Sequence, residues 1–463
     1  MQVSHIWCDN GNVNSNSSNA NFPNVGGNYN NSAGNVGMFY CNVNVNSTNS
    51  NSNNGSRKSF NSSIHAPPTQ VGSLYDPASR QNTTYTITRI GTPTEEIKGI
   101  GRCDFLNEGR VMKRIKQIDG LDLYDVIRSY DNITNALYDS CRNHSKNHTV
   151  RRIKENPGPY VDELKRILDD ESFHYGKFTR RIINERGKKR ELCYTRTFPD
   201  RAIEHCVMRV VAPILHATIP SCSWAAIKGK GAHHCSAKLH SDLVADPKGT
   251  RYCLKMDIHH FFDSIDRHIL FSMIKDKIKC GRTLKILHTI IFDAPGSRGL
   301  KIGQYSSQIL SVFYLSEFIH WMKETVRIKY LYVYMDDIVI LSDDKSILHG
   351  YRERIGQYLD LFLRLKLKGN HTVFPVEKRR IDFVGYVHNH ATVMIRKSTK
   401  RKYVRRCANM MRHIKNHIQL TAHDVLSKQS YEGMLTWCSD GKLITKYDGM
   451  VDTAITFGVT AWN

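Results

Sequence analysis

The residues Tyr334-Met335-Asp336-Asp337 lie between two apolar runs, Tyr330 to Val333 and Ile338 to Leu341, so two adjacent carboxylates fall at the tip of a β-hairpin. Two ionised Asp side chains held side by side repel each other, and a divalent cation is the usual means of keeping both ionised at one point. A third carboxylate has a matching setting. The run Tyr252-Cys253-Leu254-Lys255-Met256-Asp257-Ile258 reads as a buried strand ending in Asp257, followed by Phe261, Phe262 and Asp263. Three carboxylates on neighbouring strand ends could hold two Mg²⁺ ions, which activate an attacking oxygen and stabilise a leaving one in phosphoryl transfer.

Other elements must hold these strand ends. Helical patterning runs from Leu121 to Leu168 and again from Arg201 to Leu215, where Asp200 reads as an N-cap. Between them, Arg186-Gly187-Lys188-Lys189-Arg190-Glu191-Leu192-Cys193-Tyr194 reads as a basic turn entering a strand. After Asp257, the stretches Ile269 to Phe292 and Ser307 to Val326 are helical in pattern. Upstream, Ile227-Lys228-Gly229-Lys230-Gly231 sets two cations on a glycine-bracketed turn able to close over a triphosphate, while His233, His234 and Cys235 lack the spacing for a metal site.

The chain has 463 residues, enough for several structural units, and 66 Lys+Arg against 43 Asp+Glu give a formal charge of +23. The expected partner is therefore polyanionic. No apolar run reaches spanning length and no amino-terminal signal segment is visible, which favours nucleic acid over a membrane. The 12 Cys include no Cys-x-x-Cys pair and read as reduced thiols of an intracellular, cytoplasmic protein. The basic charge lies outside the first 65 residues, whose only ionised side chains are Asp9, Arg57 and Lys58. That Asn/Ser-rich segment is expected to be disordered, and residues 66–100 read as a linker.

Taken together, Lys255-Met256-Asp257-Ile258 with Phe261-Phe262, then Tyr334-Met335-Asp336-Asp337, resemble the palm of a reverse transcriptase. The resemblance covers roughly residues 101–445 and implies an α/β (α+β) right-hand polymerase: fingers 101–240, palm 241–390, helical thumb 391–445 and a tail 446–463. It places Asp257, Ile258, Asp336 and Asp337 around two Mg²⁺ ions, and Lys228, Lys230, Arg196 and Gln308 at the deoxynucleoside triphosphate. Phe262 takes the position of the aromatic ring beneath the incoming sugar, where bulk excludes a 2′-hydroxyl; Phe261 reads as core. Lys368, with His371 as the other candidate, would protonate the departing pyrophosphate. Phe383-Val384-Gly385 resembles the primer grip, and the basic stretch Arg396 to Arg412 would meet the template–primer duplex.

Within that family, Lys301-Ile302-Gly303-Gln304-Tyr305-Ser306-Ser307-Gln308 is the discriminating segment. Group II intron and retroviral-type enzymes carry Gln-Gly followed by Ser-Pro, whereas this chain reads Ile-Gly-x-x-x-Ser-Gln and resembles the reverse transcriptases of diversity-generating retroelements. In those enzymes the altered segment goes with low fidelity opposite template adenines, and Ile302, Gly303 and Gln308 are the positions concerned. Replacing Gln by Ile removes a donor and an acceptor near the templating base. The resemblance also implies template RNA, a primer or cDNA duplex and a small basic helical accessory protein as partners. Eighteen of the first sixty residues are Asn, whose codons are adenine-rich, so residues 1 to about 57 are expected to be a translated template repeat. The competing readings are a reverse transcriptase of phage defence and, from another class, a nucleic-acid-binding protein with a decayed site; intact Asp257, Asp336 and Asp337 oppose the last.

Overall fold

A computed structural model describes residues 70–76, 81–87, 114–185, 188–439 and 441–447. Contacts divide the chain into two units, Val13–Asp104 and the remainder. In the first, an antiparallel hairpin pairs Gln70–Asp76 with Gln81–Ile87, within the stretch expected to be a linker. The disorder and the template repeat expected of the amino terminus lie outside the described residues, as does the tail from 448 onward.

In the second unit, the helical stretch from Leu121 divides into Leu123–Ile127, Tyr130–Cys141, His148–Glu155 and Gly158–Asp169. Asp122, Ser129 and Asn147 cap the first three, each side chain accepting backbone N–H groups of the first turn, and Pro157 opens the fourth. The first two of these helices pack on Ala202–His216, which is apolar on nearly all sides and buried accordingly. Asp200 is not its N-cap. The chain makes a π-helical turn over Thr197–Arg201, and the Asp200 carboxylate turns away to bind Arg196 and the amide of Gly176. Another hairpin pairs Thr179–Glu185 with Lys188–Tyr194, while Arg186 and Gly187 of the basic turn expected there lie outside the described residues.

The palm is a four-stranded antiparallel sheet in the order Thr372–Pro375, Tyr252–Asp257, Asp337–Ser342, Tyr330–Tyr334. Successive side chains alternate between its faces. Leu254, Met256, Ile338, Ile340, Leu331 and Val333 join the large core beneath the helices, whereas Cys253, Val339, Leu341 and Tyr332 join a smaller core. Leu239 and Leu243 of helix Ala232–Ala245 and Phe383 complete that smaller core. The helical pattern from Ile269 to Phe292 proves to be two helices, Arg267–Lys275 and Gly281–Phe292, because the chain between them pairs with Ile115 through Lys277 and Lys279. Likewise Ser307 to Val326 resolves into Tyr305–Tyr314, Ser316–His320 and a π-helical turn, Trp321–Thr325.

A three-stranded sheet, Ile381–Phe383, Tyr386–His388 and Val393–Ile395, follows, then helices Lys397–Lys415, Ala422–Leu435 and Lys442–Thr445. They enclose a third core around Tyr386, Tyr403 and Leu435. His233 and His234 stack on or edge Trp437 of this part, and the His233 imidazole meets the Tyr386 hydroxyl at 2.6 Å, so these histidines serve packing. Among the described residues no helix is long and apolar enough to cross a membrane.

Candidate active site

Asp257 ends its strand directly opposite Asp337, and Asp337 in turn pairs with Tyr334. The turn of the hairpin is therefore Met335-Asp336, with Met335 at φ 54, and only Asp336 sits at the tip. Three backbone bonds fix the carboxylates: Ile258 N–H to the Asp336 carbonyl (3.2 Å), His259 N–H to Lys366 (2.8 Å) and Lys368 N–H to the Asp257 carbonyl (2.8 Å). Burial, then the charges of Asp337 and Asp257, push the Asp336 carboxyl up to about 7. Burial and Asp257 also raise Asp337, against the opposing pull of Lys255 and Arg396.

Of the two candidate proton donors, Lys368 makes the direct contact: its ammonium lies 3.4 Å from Asp257 Oδ2. Among the described residues no three His, Cys, Asp or Glu side chains stand ready to ligate one ion. The donor chemistry nevertheless suits a hard divalent cation, since it is all oxygen, and the crowding of negative charge that adds to burial in raising Asp336 is what such a cation relieves.

Phe261 and Phe262 occupy one short helix, Phe261–Ser264, rather than an extended segment. Phe261 is buried in the large core, while Phe262 is half-buried and packs beside Met335, Ala225 and Val312, against the Met335-Asp336 turn. The segment from Lys301 joins two parts of the site. The Cys193 N–H, from the fingers hairpin, donates to the Ile302 carbonyl at 2.8 Å, and Gly303 has φ +114 with the Cys193 carbonyl so near that a Cβ would lie 2.7 Å from it. Helix Tyr305–Tyr314 then runs to the Met335-Asp336 turn, where the Ser311 hydroxyl meets Met335 Sδ at 3.9 Å. Gln308 lies one turn before Ser311 and Val312 and shares their face.

Other expected contacts are placed differently. The hairpin of the fingers pairs Thr179–Glu185 with Lys188–Tyr194, whereas Ile227 to Gly231 is a turn entering helix Ala232–Ala245, anchored beside the hairpin that bears Asp336 by Trp224 N–H to Val333 (3.0 Å). On that turn Lys228 is exposed. Lys230 folds back, donating to the Ser221 and Ser223 carbonyls at 2.9 and 3.0 Å with Trp224 beneath it, so its charge satisfies the loop instead of projecting outward. Arg196 is clamped by the Asp200 carboxylate, 2.7 Å from its Nη2. In the segment expected to be the primer grip, Phe383 is buried and Val384-Gly385 form the hairpin turn with φ 43 and 94, an unusual conformation for a β-branched residue.

Residues that motif reading missed complete the site. Arg190, on the fingers hairpin, acts electrostatically on Asp336. Lys255 lies two residues before Asp257 on the same strand face, and its ammonium binds the Asp382 carbonyl; Arg396 pairs with the Asp382 carboxylate. The period of two made Lys255 discoverable. Glu204, wholly buried, accepts from the Ser306 N–H and hydroxyl (3.0 Å each) and the Tyr175 hydroxyl (2.8 Å), fixing the start of helix Tyr305–Tyr314.

Residues 183–388, which hold all three carboxylates, match the family described as reverse transcriptase (RNA-dependent DNA polymerase). That stretch is a reverse transcriptase domain. No curated protein matches the chain. Among solved structures, apo telomerase from Candida tropicalis truncated from its C-terminal domain aligns at 16% identity and TM-score 0.37, covering 47% of this chain and 55% of that one. Telomerase from Candida albicans, in complex with a fragment of telomeric RNA, aligns at 12% identity and TM-score 0.39, covering 64% and 62%. The chain thus spans less than two thirds of either telomerase structure.

Proposed function

We propose that the protein copies an RNA template into DNA at Asp257, Asp336 and Asp337, and that it does so for a diversity-generating retroelement, with errors concentrated at template adenines. The observation that supports this reading most is the seating of Ile302 and Gly303: the apolar side chain that replaces a polar one lies on a segment bonded to the fingers hairpin at Cys193 and continuous with the helix that touches Met335. A segment so connected can affect how the nascent pair is judged.

Asp257, Asp336 and Asp337, with Ile258 beside them, would hold two Mg²⁺ ions, which when bound activate the attacking primer oxygen and stabilise the leaving one. Lys228 and Arg190 are suited to the negative charge of the triphosphate. Gln308 faces the same space, and Lys368 is placed to give a proton to the departing pyrophosphate. The Phe262 ring closes the floor under the sugar. Phe383, Val384 and Gly385 would hold the primer end, and the basic helix Lys397–Lys415 the template–primer duplex, whose contacts are mostly to backbone. A small basic accessory protein would complete the assembly.

Sequencing of cDNA made on one adenine-rich RNA, with and without a small basic accessory protein of the proposed kind, tests the reading. Misincorporation concentrated at adenines is expected. Errors spread evenly over the four template bases would reject the retroelement assignment while leaving the polymerase intact.

A further inference from the structure

A buried guanidinium lies behind Phe262. Arg267, 3% exposed, is the first residue of helix Arg267–Lys275, and it has no carboxylate partner among the described residues. Instead it donates to five backbone carbonyls of one loop: Nε to Gly299 (2.8 Å), Nη1 to Phe292 (3.4 Å), Ala294 (2.9 Å) and Gly296 (2.8 Å), and Nη2 to Pro295 (3.2 Å). Burying a charge without a counter-charge is unfavourable unless its hydrogen bonds are made, and here every bond is spent on folding the loop.

That loop in turn grips the turn bearing Phe262. The Leu300 N–H donates to the Phe262 carbonyl (2.8 Å), the Gly299 N–H to Ile265 (2.9 Å) and Arg298 Nε to Ser264 (2.9 Å). Gly299, at φ +80, lies so close that a Cβ would stand 2.7 Å from the Asp263 Cα and carbonyl oxygen. Phe261–Ser264 is a helix of four residues, too short to hold its own conformation, so its geometry is imposed from outside.

We infer that Arg267 and the loop 292–300 form a clamp that sets the height of the Phe262 ring, and thereby the enzyme's choice between deoxyribonucleotides and ribonucleotides. Arg267 is a positioning residue: it acts through the loop on Phe262 and touches no substrate. The inference rests on Phe262 as the ring beneath the sugar. Releasing the clamp lets the ring sink by a few tenths of an ångström, which makes room for a 2′-hydroxyl while the bonds to base and triphosphate persist.

The test compares kcat/KM for ribonucleoside and deoxyribonucleoside triphosphates on one primed RNA, for the full chain and four variants. Phe262→Ala reports the ring itself. Gly299→Ala pushes the clamp against Asp263, Arg298→Ala removes two exposed bonds, to the Ser264 and Arg364 carbonyls, and Arg267→Gln removes most of the cage. Thermal melting and duplex binding identify any variant that has unfolded, and Arg298→Ala, whose side chain is exposed, keeps the test open if the buried variants fail. Discrimination is expected to fall about tenfold in Gly299→Ala and Arg267→Gln and roughly threefold in Arg298→Ala, through a lower ribonucleotide KM. In the Phe262→Ala background, Gly299→Ala should change it no further. A merely structural role would lower both activities in proportion and leave their ratio alone; that outcome in the folded variants, with Phe262→Ala relaxed, overturns the clamp. Parental discrimination in Phe262→Ala would overturn the ring reading and the clamp with it.

Discussion

Gly303→Ala bears on the joint between the fingers hairpin and the segment that starts helix Tyr305–Tyr314. At φ +114 an L-residue is strained by about 1–3 kcal/mol, and the added Cβ would meet the Cys193 carbonyl at 2.7 Å, a contact that backbone alone can relieve. Relief means drawing Ile302 away from Cys193 and lengthening their 2.8 Å hydrogen bond, worth roughly 1 kcal/mol. The total is about 2–4 kcal/mol if the segment keeps its place, less if it moves. Denaturant unfolding measures the loss, and single-nucleotide incorporation on primed RNA measures the displacement. The account expects lower stability together with a reduced kcat for correct nucleotides. A variant that unfolds within about 0.5 kcal/mol of the parent and incorporates at the parental rate would show that Gly303 is not pressed against Cys193 in solution.

Ile302→Gln restores a donor and an acceptor on that segment, so errors opposite adenine should fall by up to about a hundredfold, corresponding to ~1–3 kcal/mol, while errors at other bases change less; an equal or higher adenine error would exclude Ile302 as the determinant. Glu204→Ala leaves the Ser306 N–H and hydroxyl and the Tyr175 hydroxyl without their acceptor, and unfolding should show a loss of at least about 3 kcal/mol; a loss under 1 kcal/mol would mean that water replaces the carboxylate. Lys368→Ala should lower kcat by about 10²- to 10⁴-fold with little change in deoxynucleotide KM, read by rapid-quench incorporation, and a change confined to KM would remove Lys368 as the proton donor.

The three carboxylates and the sheet that carries them were legible because both signals are local: apolar runs with a period of two, and Asp residues at their ends. Lys255 follows from the same period. Lys230 shows the limit. A lysine between two glycines suggests an anion site, yet two nearby carbonyls, Ser221 and Ser223, capture its ammonium, and carbonyls carry no mark in the sequence. Arg267 is the same case at larger scale, with five backbone acceptors gathered from residues 25 to 32 positions away. Asp200 looked like an N-cap because it precedes a helical pattern, but Arg196 and the Gly176 amide lie within reach, and together they outweigh a cap worth about 1 kcal/mol. The long helical patterns divide at Ser129, Asn147 and Pro157, where the breaking residues are visible, and near Ile278, where pairing with Ile115 decides and Gly281 opens the next helix.

The central claim is that Asp257, Asp336 and Asp337 perform RNA-templated DNA synthesis. Primer extension on an RNA template with Mg²⁺ and deoxynucleotides, comparing the parent with Asp336→Asn, tests it most directly. The substitution removes from the hairpin tip a carboxylate proposed to hold Mg²⁺ while leaving the basic surface in place. The account predicts extension by the parent, loss of at least about 10³-fold in the variant, and equal melting temperature and RNA affinity for both. Extension by Asp336→Asn at near the parental rate would contradict it.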